Sequence, residues 1–97
     1  MIENFGYVMA TKMLVDTKSR VGYMYREAPD NANDSGWRMF VGNETIEYVN
    51  NPENIGIYDV NTVVNIDSAI VSLLHNNVGT SFVRINKDTF MQEDKEQ

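Results

Sequence analysis

Ninety-seven residues, 42% hydrophobic and 23% charged, read as one soluble globular domain. No cysteine is present, which excludes a disulfide scaffold, a thiolate metal site and a cysteine nucleophile. The single histidine, His75, excludes a multi-histidine metal centre, and a net charge of −6 opposes duplex binding, where Lys and Arg on phosphates supply the affinity.

Tyr7 to Thr11 is a short β-like run, followed by Met13-Leu14-Val15 and the turn-forming Asp16-Thr17-Lys18-Ser19. Arg20 to Glu27 predicts a better strand, because Val21, Tyr23 and Tyr25 alternate with Gly22, Met24 and Arg26. Ala28 to Gly36 is rich in Pro, Asp, Asn, Ser and Gly and predicts a loop. Trp37 to Val41 resumes a strand, with Trp37, Met39 and Val41 on one side and Arg38 and Phe40 on the other. The two strands pair most simply as a hairpin. Its connection is longer than hairpin loops usually are, and long ordered loops often carry function.

Glu44 to Val49 fits either a short helix capped by Asn43 or an extended segment, and Asn50-Asn51-Pro52 stops both. Ile55 to Tyr58 predicts an edge strand, and Asp59 or Asn61 caps a helical turn through Val63 and Val64. Asp67 reads as the N-cap of a helix from Ser68 to His75, with Ile70, Leu73 and Leu74 spaced as a core-facing stripe. Val78 to Ile85 predicts the last strand, and Asp88 to Gln97 a polar, frayed end. The expected fold is α+β: an antiparallel sheet of about four to five strands, with one main helix and short helical turns on one face. Residues 1–86 form the single domain and 87–97 a polar tail. The expected core is drawn from Tyr7, Val8, Val21, Tyr23, Trp37, Phe40, Ile57, Leu73, Leu74 and Phe82.

No chemistry stands out. Asp30-Asn31-Ala32-Asn33-Asp34 invites a calcium reading, but Ala32 and Val41 fall where an EF-hand loop needs oxygen ligands. The run serves better as an Asx-rich turn. His75 reads as a capping or surface histidine, and Glu44 with Glu47 as a solvated pair without an apolar wall. No phosphate loop, dinucleotide fingerprint or zinc motif occurs, so no catalytic, cofactor or metal residues are expected. Trp37 reads first as a core anchor and second as an interface hot spot. The N-terminus carries Glu3 where a signal peptide needs a base, and no apolar run approaches the length of a spanning helix. The expectation is a cytoplasmic protein without a membrane partner.

The acids are concentrated. Residues 27–67 hold eight carboxylates against Arg38 alone, while residues 1–26 carry a net positive charge and residues 68–97 nearly none. A field of one sign either keeps a protein soluble or steers a partner of the other sign.

The run Val21-Gly22-Tyr23-Met24-Tyr25-Arg26-Glu27, then Pro29-Asp30 and Asp34-Ser35-Gly36-Trp37-Arg38-Met39-Phe40, has a familiar order. It continues through Asn54-Ile55-Gly56-Ile57-Tyr58-Asp59-Val60-Asn61-Thr62, Asn65-Ile66-Asp67 and Val78-Gly79-Thr80-Ser81-Phe82. Together these segments resemble the small bacterial family DUF2185, also named the Imm33 immunity protein family. The likeness spans roughly residues 7–85 and departs at Met39, where an aromatic is expected. A buried Phe-to-Met exchange costs under about 1.5 kcal/mol, so the fold expectation stands.

The resemblance implies a single-domain α+β protein that binds a cognate toxin and blocks its active site or substrate path. An inhibitor of a nuclease toxin is expected to be acidic, and residues 27–67 supply that field. The expected contact residues are Asp30, Asp34, Glu44, Glu47, Tyr48 and Asp59, with Arg38 orienting the loop. Charge reversal at Asp34 and Glu47 is then expected to slow association while folding survives. The competing reading is a small ligand-binding or regulatory domain whose Asx-rich loop closes on a polar molecule, with no toxin. An exposed edge strand also leaves a homodimer open.

Overall fold

In a computed structural model of the chain, which describes residues 2 and 4–93, the elements follow the expected α+β order with more strands than expected. The strands are β1 (Tyr7–Thr11), β2 (Tyr23–Arg26), β3 (Asp34–Phe40), β4 (Ile55–Asp59), β5 (Ser81–Arg84) and β6 (Phe90–Gln92). They form one six-stranded sheet in the order β4-β1-β3-β2-β5-β6. Every neighbouring pair is antiparallel except β1 and β3. The sheet is thus mixed rather than wholly antiparallel, because β3 returns beside β1 after an intervening helix and β2. The hairpin of β2 and β3 is present, with Tyr23 opposite Phe40 and Tyr25 opposite Arg38. The end expected to be polar and frayed supplies β6, which adds to β5 with Val83 opposite Met91. Residues 94–97 of that tail lie outside the described residues.

Among the described residues three short α-helices occur: α1 (Lys12–Asp16), α2 (Ile46–Val49) and α3 (Val60–Ile66). Each starts at a side-chain cap that satisfies an orphan N–H of the first turn. Thr11 accepts from Leu14, Thr45 from Tyr48, and Asp59 from Asn61. The ambiguity at Glu44 to Val49 resolves to a helix, with Thr45 rather than Asn43 as the cap. The expected main helix after Asp67 is instead a 3-10 helix, Ser68–Leu73. Its bonds run from Ile70 N–H to Asp67 and from Leu74 N–H to Val71. So short a segment, fixed by its packing, tolerates the tighter winding. The stripe is only partly as read: Ile70 and Leu74 are buried and Leu73 half-buried.

One face of the sheet carries the core. Val8 and Ala10 of β1, Met24 of β2, Trp37 and Met39 of β3 and Phe82 of β5 pack there against Leu14, Val60, Val63, Ile70 and Leu74. Trp37 is the anchor: it is fully buried, its Nε1 donates to the Leu74 carbonyl at 3.0 Å, and its ring lies 6.3 Å from that of Phe82. Arg26 ties the end of the 3-10 helix to the sheet by donating to the carbonyls of Leu74 and Asn76. Asp67 does the same at the start, accepting from Val21 N–H at 3.0 Å, from Ala69 N–H and from Arg84. Among the described residues no buried side-chain nitrogen or oxygen lacks a partner.

Four residues expected in the core lie elsewhere. Tyr7, Tyr23 and Phe40 are only half-buried and Ile57 is 62% exposed. All four stand at strand positions of the opposite face of the sheet, which the packed helices leave uncovered.

Candidate functional site

The uncovered face follows from strand alternation, since directly opposed residues share a face. One row crosses the sheet as Ile57, Met9, Arg38, Tyr25 and Ser81. A second contains Phe40, Tyr23, Val83 and Met91. Tyr25 and Phe40 stack with ring centroids 5.9 Å apart and planes 15° apart, and Tyr23 leans on both. Val49 of α2 and Ile55 of β4 close one side, leaving an open cleft of about 310 Å³ with Met9, Tyr25, Glu27, Arg38 and Phe40 in its lining.

Arg38 is the single cation in this lining, and it donates to two carboxylates and to the Trp37 carbonyl. Its Nη1 and Nη2 donate to the two oxygens of Asp34 at 2.9 and 2.8 Å, and its Nε donates to Glu27 Oε2 at 2.6 Å. Such forked pairing is the strong geometry for guanidinium and carboxylate. The Asp34 side chain is wholly buried and that of Arg38 is 5% exposed, whereas that of Glu27 is 51% exposed. The buried cation therefore faces solvent through an anion. The Arg38 guanidinium holds the Asp34 carboxyl well below the usual carboxylate range; burial opposes this, and the N–H groups of Asp30 and Gly36 reinforce it. Hydrogen bonding to Asp34 raises the Arg38 pKa, again against burial. Burial, then the Glu27 charge, pushes the Tyr25 hydroxyl up, against the Arg38 charge.

Backbone geometry sets this network. The register between β1 and β3 shifts between Tyr7–Asp34 and Met9–Arg38, so β3 bulges through Ser35, Gly36 and Trp37. Gly36 takes φ +91°, and a Cβ there would lie 2.3 Å from the Glu27 carbonyl oxygen. Only glycine fits a positive φ with the neighbouring backbone so close. The bulge lets Asp34 reach Arg38 while Trp37 turns to the core.

The residues expected at a contact divide into two ends and a centre. Asp34 lies opposite Tyr7, as does Asp59 on the other side of β1. Asp30 donates its N–H to Asp34 and is exposed. At the Thr11 end, Glu44 accepts from the Thr11 hydroxyl at 2.7 Å and from the N–H groups of Val41 and Gly42. Burial pushes the Glu44 carboxyl up, but these three donors outweigh it and its pKa is lowered. Tyr48 is half-buried and its hydroxyl accepts from Met13 N–H at 2.9 Å. Glu47 is exposed. The two ends are four strand steps apart, about 13 Å. Asp30, Glu47 and Asp59 thus face solvent, while Asp34, Arg38, Glu44 and Tyr48 hold the fold. Reversing Asp34 would place a cation against Arg38, so the expectation that folding survives that change is corrected.

The expected contact set leaves out Met9, Tyr23, Tyr25, Glu27 and Phe40. A signal for them exists: β2 and β3 are apolar on both parities, with Tyr23, Tyr25 and Phe40 opposing Met24, Trp37 and Met39. A domain this small covers one sheet face more easily than two. The described residues contain no group of three His, Asp or Glu side chains placed to hold a metal. His75 is exposed and packs edge-on against Phe5, with centroids 6.1 Å apart. No described helix is long and apolar enough to cross a membrane.

The architecture is that of a small α+β domain with one covered and one open sheet face. Residues 8–94 match the model of the immunity protein Imm33 domain. The chain belongs to that family. No curated protein and no solved structure matches it.

Proposed function

We propose that this chain is an immunity-type binding protein, which neutralises a cognate bacterial toxin in the cytoplasm by docking on it through an acidic surface. The observation that carries this reading is membership of an immunity family over nearly the whole chain. Charge supports it: net −6, with eight carboxylates between residues 27 and 67. Glu27, Asp30, Glu47, Glu53 and Asp59 supply the exposed part of that field, and Asp34, Arg38, Glu44 and Tyr48 fix the loops that present it. The partner is a protein with a basic working surface, blocked by occlusion rather than altered chemically. Fields of this kind act chiefly on the association rate.

The test is growth rescue. Candidate bacterial toxins are expressed with and without this chain, and rescued pairs are purified as complexes. Restored growth with a stoichiometric complex is expected. Rescue without any complex, or a complex whose formation ignores ionic strength, contradicts the reading.

A further inference from the structure

The open sheet face lies beside the acidic groups without being one of them, and its composition specifies more than a negative field. An apolar, aromatic floor is unusual on a free surface, where large contiguous apolar patches mark interaction sites. The floor here is Met9, Phe40, Tyr25, Val49 and Ile55, extended by Ile57 and Met91, which are 62% and 55% exposed. Its polar group of highest consequence is Glu27. One Glu27 oxygen is held by Arg38, and the other carries no hydrogen bond among the described residues.

Charge decides what fits. Arg38 is outnumbered by its two carboxylates, and the exposed member of the trio is an anion. The stacked pair of Tyr25 and Phe40 adds ring faces that attract a cation held over them. A second copy of this chain is disfavoured, since a two-fold contact sets each patch against itself, Glu27 toward Glu27, between bodies of net charge −6. Nucleic acid is disfavoured by the same sign.

We infer that the cleft between Tyr25, Phe40, Met9 and Ile55 docks a protein segment in which a lysine or arginine stands among apolar side chains. The segment's alkyl stem lies along Met9 and Ile55, its cation reaches the free oxygen of Glu27 past the Tyr25 ring, and its apolar neighbours cover Phe40 and Ile57. The assignment rests on the proposed protein-binding role and names the surface and the partner chemistry within it.

The probe is a library of short random peptides displayed on phage and panned against the full chain. Recovered peptides are expected to pair Arg or Lys with aromatic or aliphatic residues. Amide shifts on titration are expected at Met9, Tyr25, Phe40 and Ile55. Glu27→Gln, which keeps an acceptor for Arg38, should weaken the peptide about fivefold. Tyr25→Leu, which keeps an apolar strand residue, should weaken it by a similar factor. The inference is overturned by any of four results: no binders, acidic or uncharged binders, shifts confined to another surface, or a concentration-dependent dimer occluding the face. The two levels separate cleanly. If toxin rescue succeeds and is unaffected by both variants, the surface is wrong and the immunity role stands. If basic peptides bind here but no toxin is neutralised, the immunity role fails and the surface stands.

Discussion

Arg38 holds both carboxylate oxygens of Asp34, four residues back along the same strand, at 2.9 and 2.8 Å, with the Asp34 side chain fully buried. The same Asp34 oxygens accept the N–H groups of Gly36 and Asp30, so the pair joins the long loop, the bulge and the open face.

Removal of one partner leaves the other buried and unpaired. Asp34→Ala is therefore expected to destabilise the fold by about 3–5 kcal/mol. Urea denaturation followed by tryptophan fluorescence, with Trp37 as the single reporter, checks this. A loss below about 1 kcal/mol would place the pair among surface bridges of little worth.

The same pair sets the acid limb of stability. The folded-state pKa of Asp34 is depressed, so as the pH falls the unfolded chain takes up this proton first. Its stabilisation is complete above the ordinary aspartate value of about 3.9 and drains away as the pH drops toward the folded-state value. The loss should reach on the order of 2–3 kcal/mol. Glu44, whose lowered pKa survives the opposing effect of burial, adds in the same direction. Urea midpoints at neutral pH, at about pH 4 and at about pH 2.5 give the curve. Asp34→Asn should flatten it, and an unchanged acid limb in that variant would contradict the assignment.

Gly36→Ala tests the bulge. A methyl group at φ +91° would meet the Glu27 carbonyl oxygen at 2.3 Å. Strain and collision together should cost roughly 3 kcal/mol or more, beyond the usual gain from replacing glycine. Thermal unfolding of an about 100-residue domain converts 1 kcal/mol into roughly 4–8 °C, so a drop exceeding about 10 °C is expected. A drop of only a few degrees would mean the bulge can relax.

Exposed acids should behave differently. Asp30→Lys and Glu47→Lys are expected to alter stability by no more than about 0.5 kcal/mol, because neither side chain is buried. Asp59→Lys should cost about 1 kcal/mol more, since Asp59 caps α3 through Asn61 N–H at 2.8 Å. Circular dichroism melts of the three variants separate these cases.

Much of the fold was legible because local rules and packing agree. The alternation across Trp37, Arg38 and Met39 gives the core face of β3 correctly, Asp67 is the cap its position suggests, and of the two candidates Asp59 and Asn61 it is Asp59 that caps α3. The parallel pairing of β1 with β3 was not legible, because it joins segments whose own patterns carry no directional mark. The 3-10 winding of Ser68–Leu73 was hidden behind a spacing shared with an α-helix. At the site, composition located the acids but not their burial. Asp34 and Arg38 stand four residues apart in sequence, and only the bulge at Gly36 brings them together inside. Tyr7, Tyr23, Phe40 and Ile57 read as core because apolar residues usually go inside; whether a second layer covers them depends on helices that pack on the other face.

The measurement that bears most directly on direct toxin binding is the association rate of this chain with a toxin it protects against, recorded over a range of ionic strength. The wild-type chain should associate fast and slow steeply as salt rises, and the combined Asp30→Lys, Glu47→Lys variant should associate at least about tenfold more slowly with a flattened salt dependence. Equal rates for both proteins at every salt concentration would contradict the account.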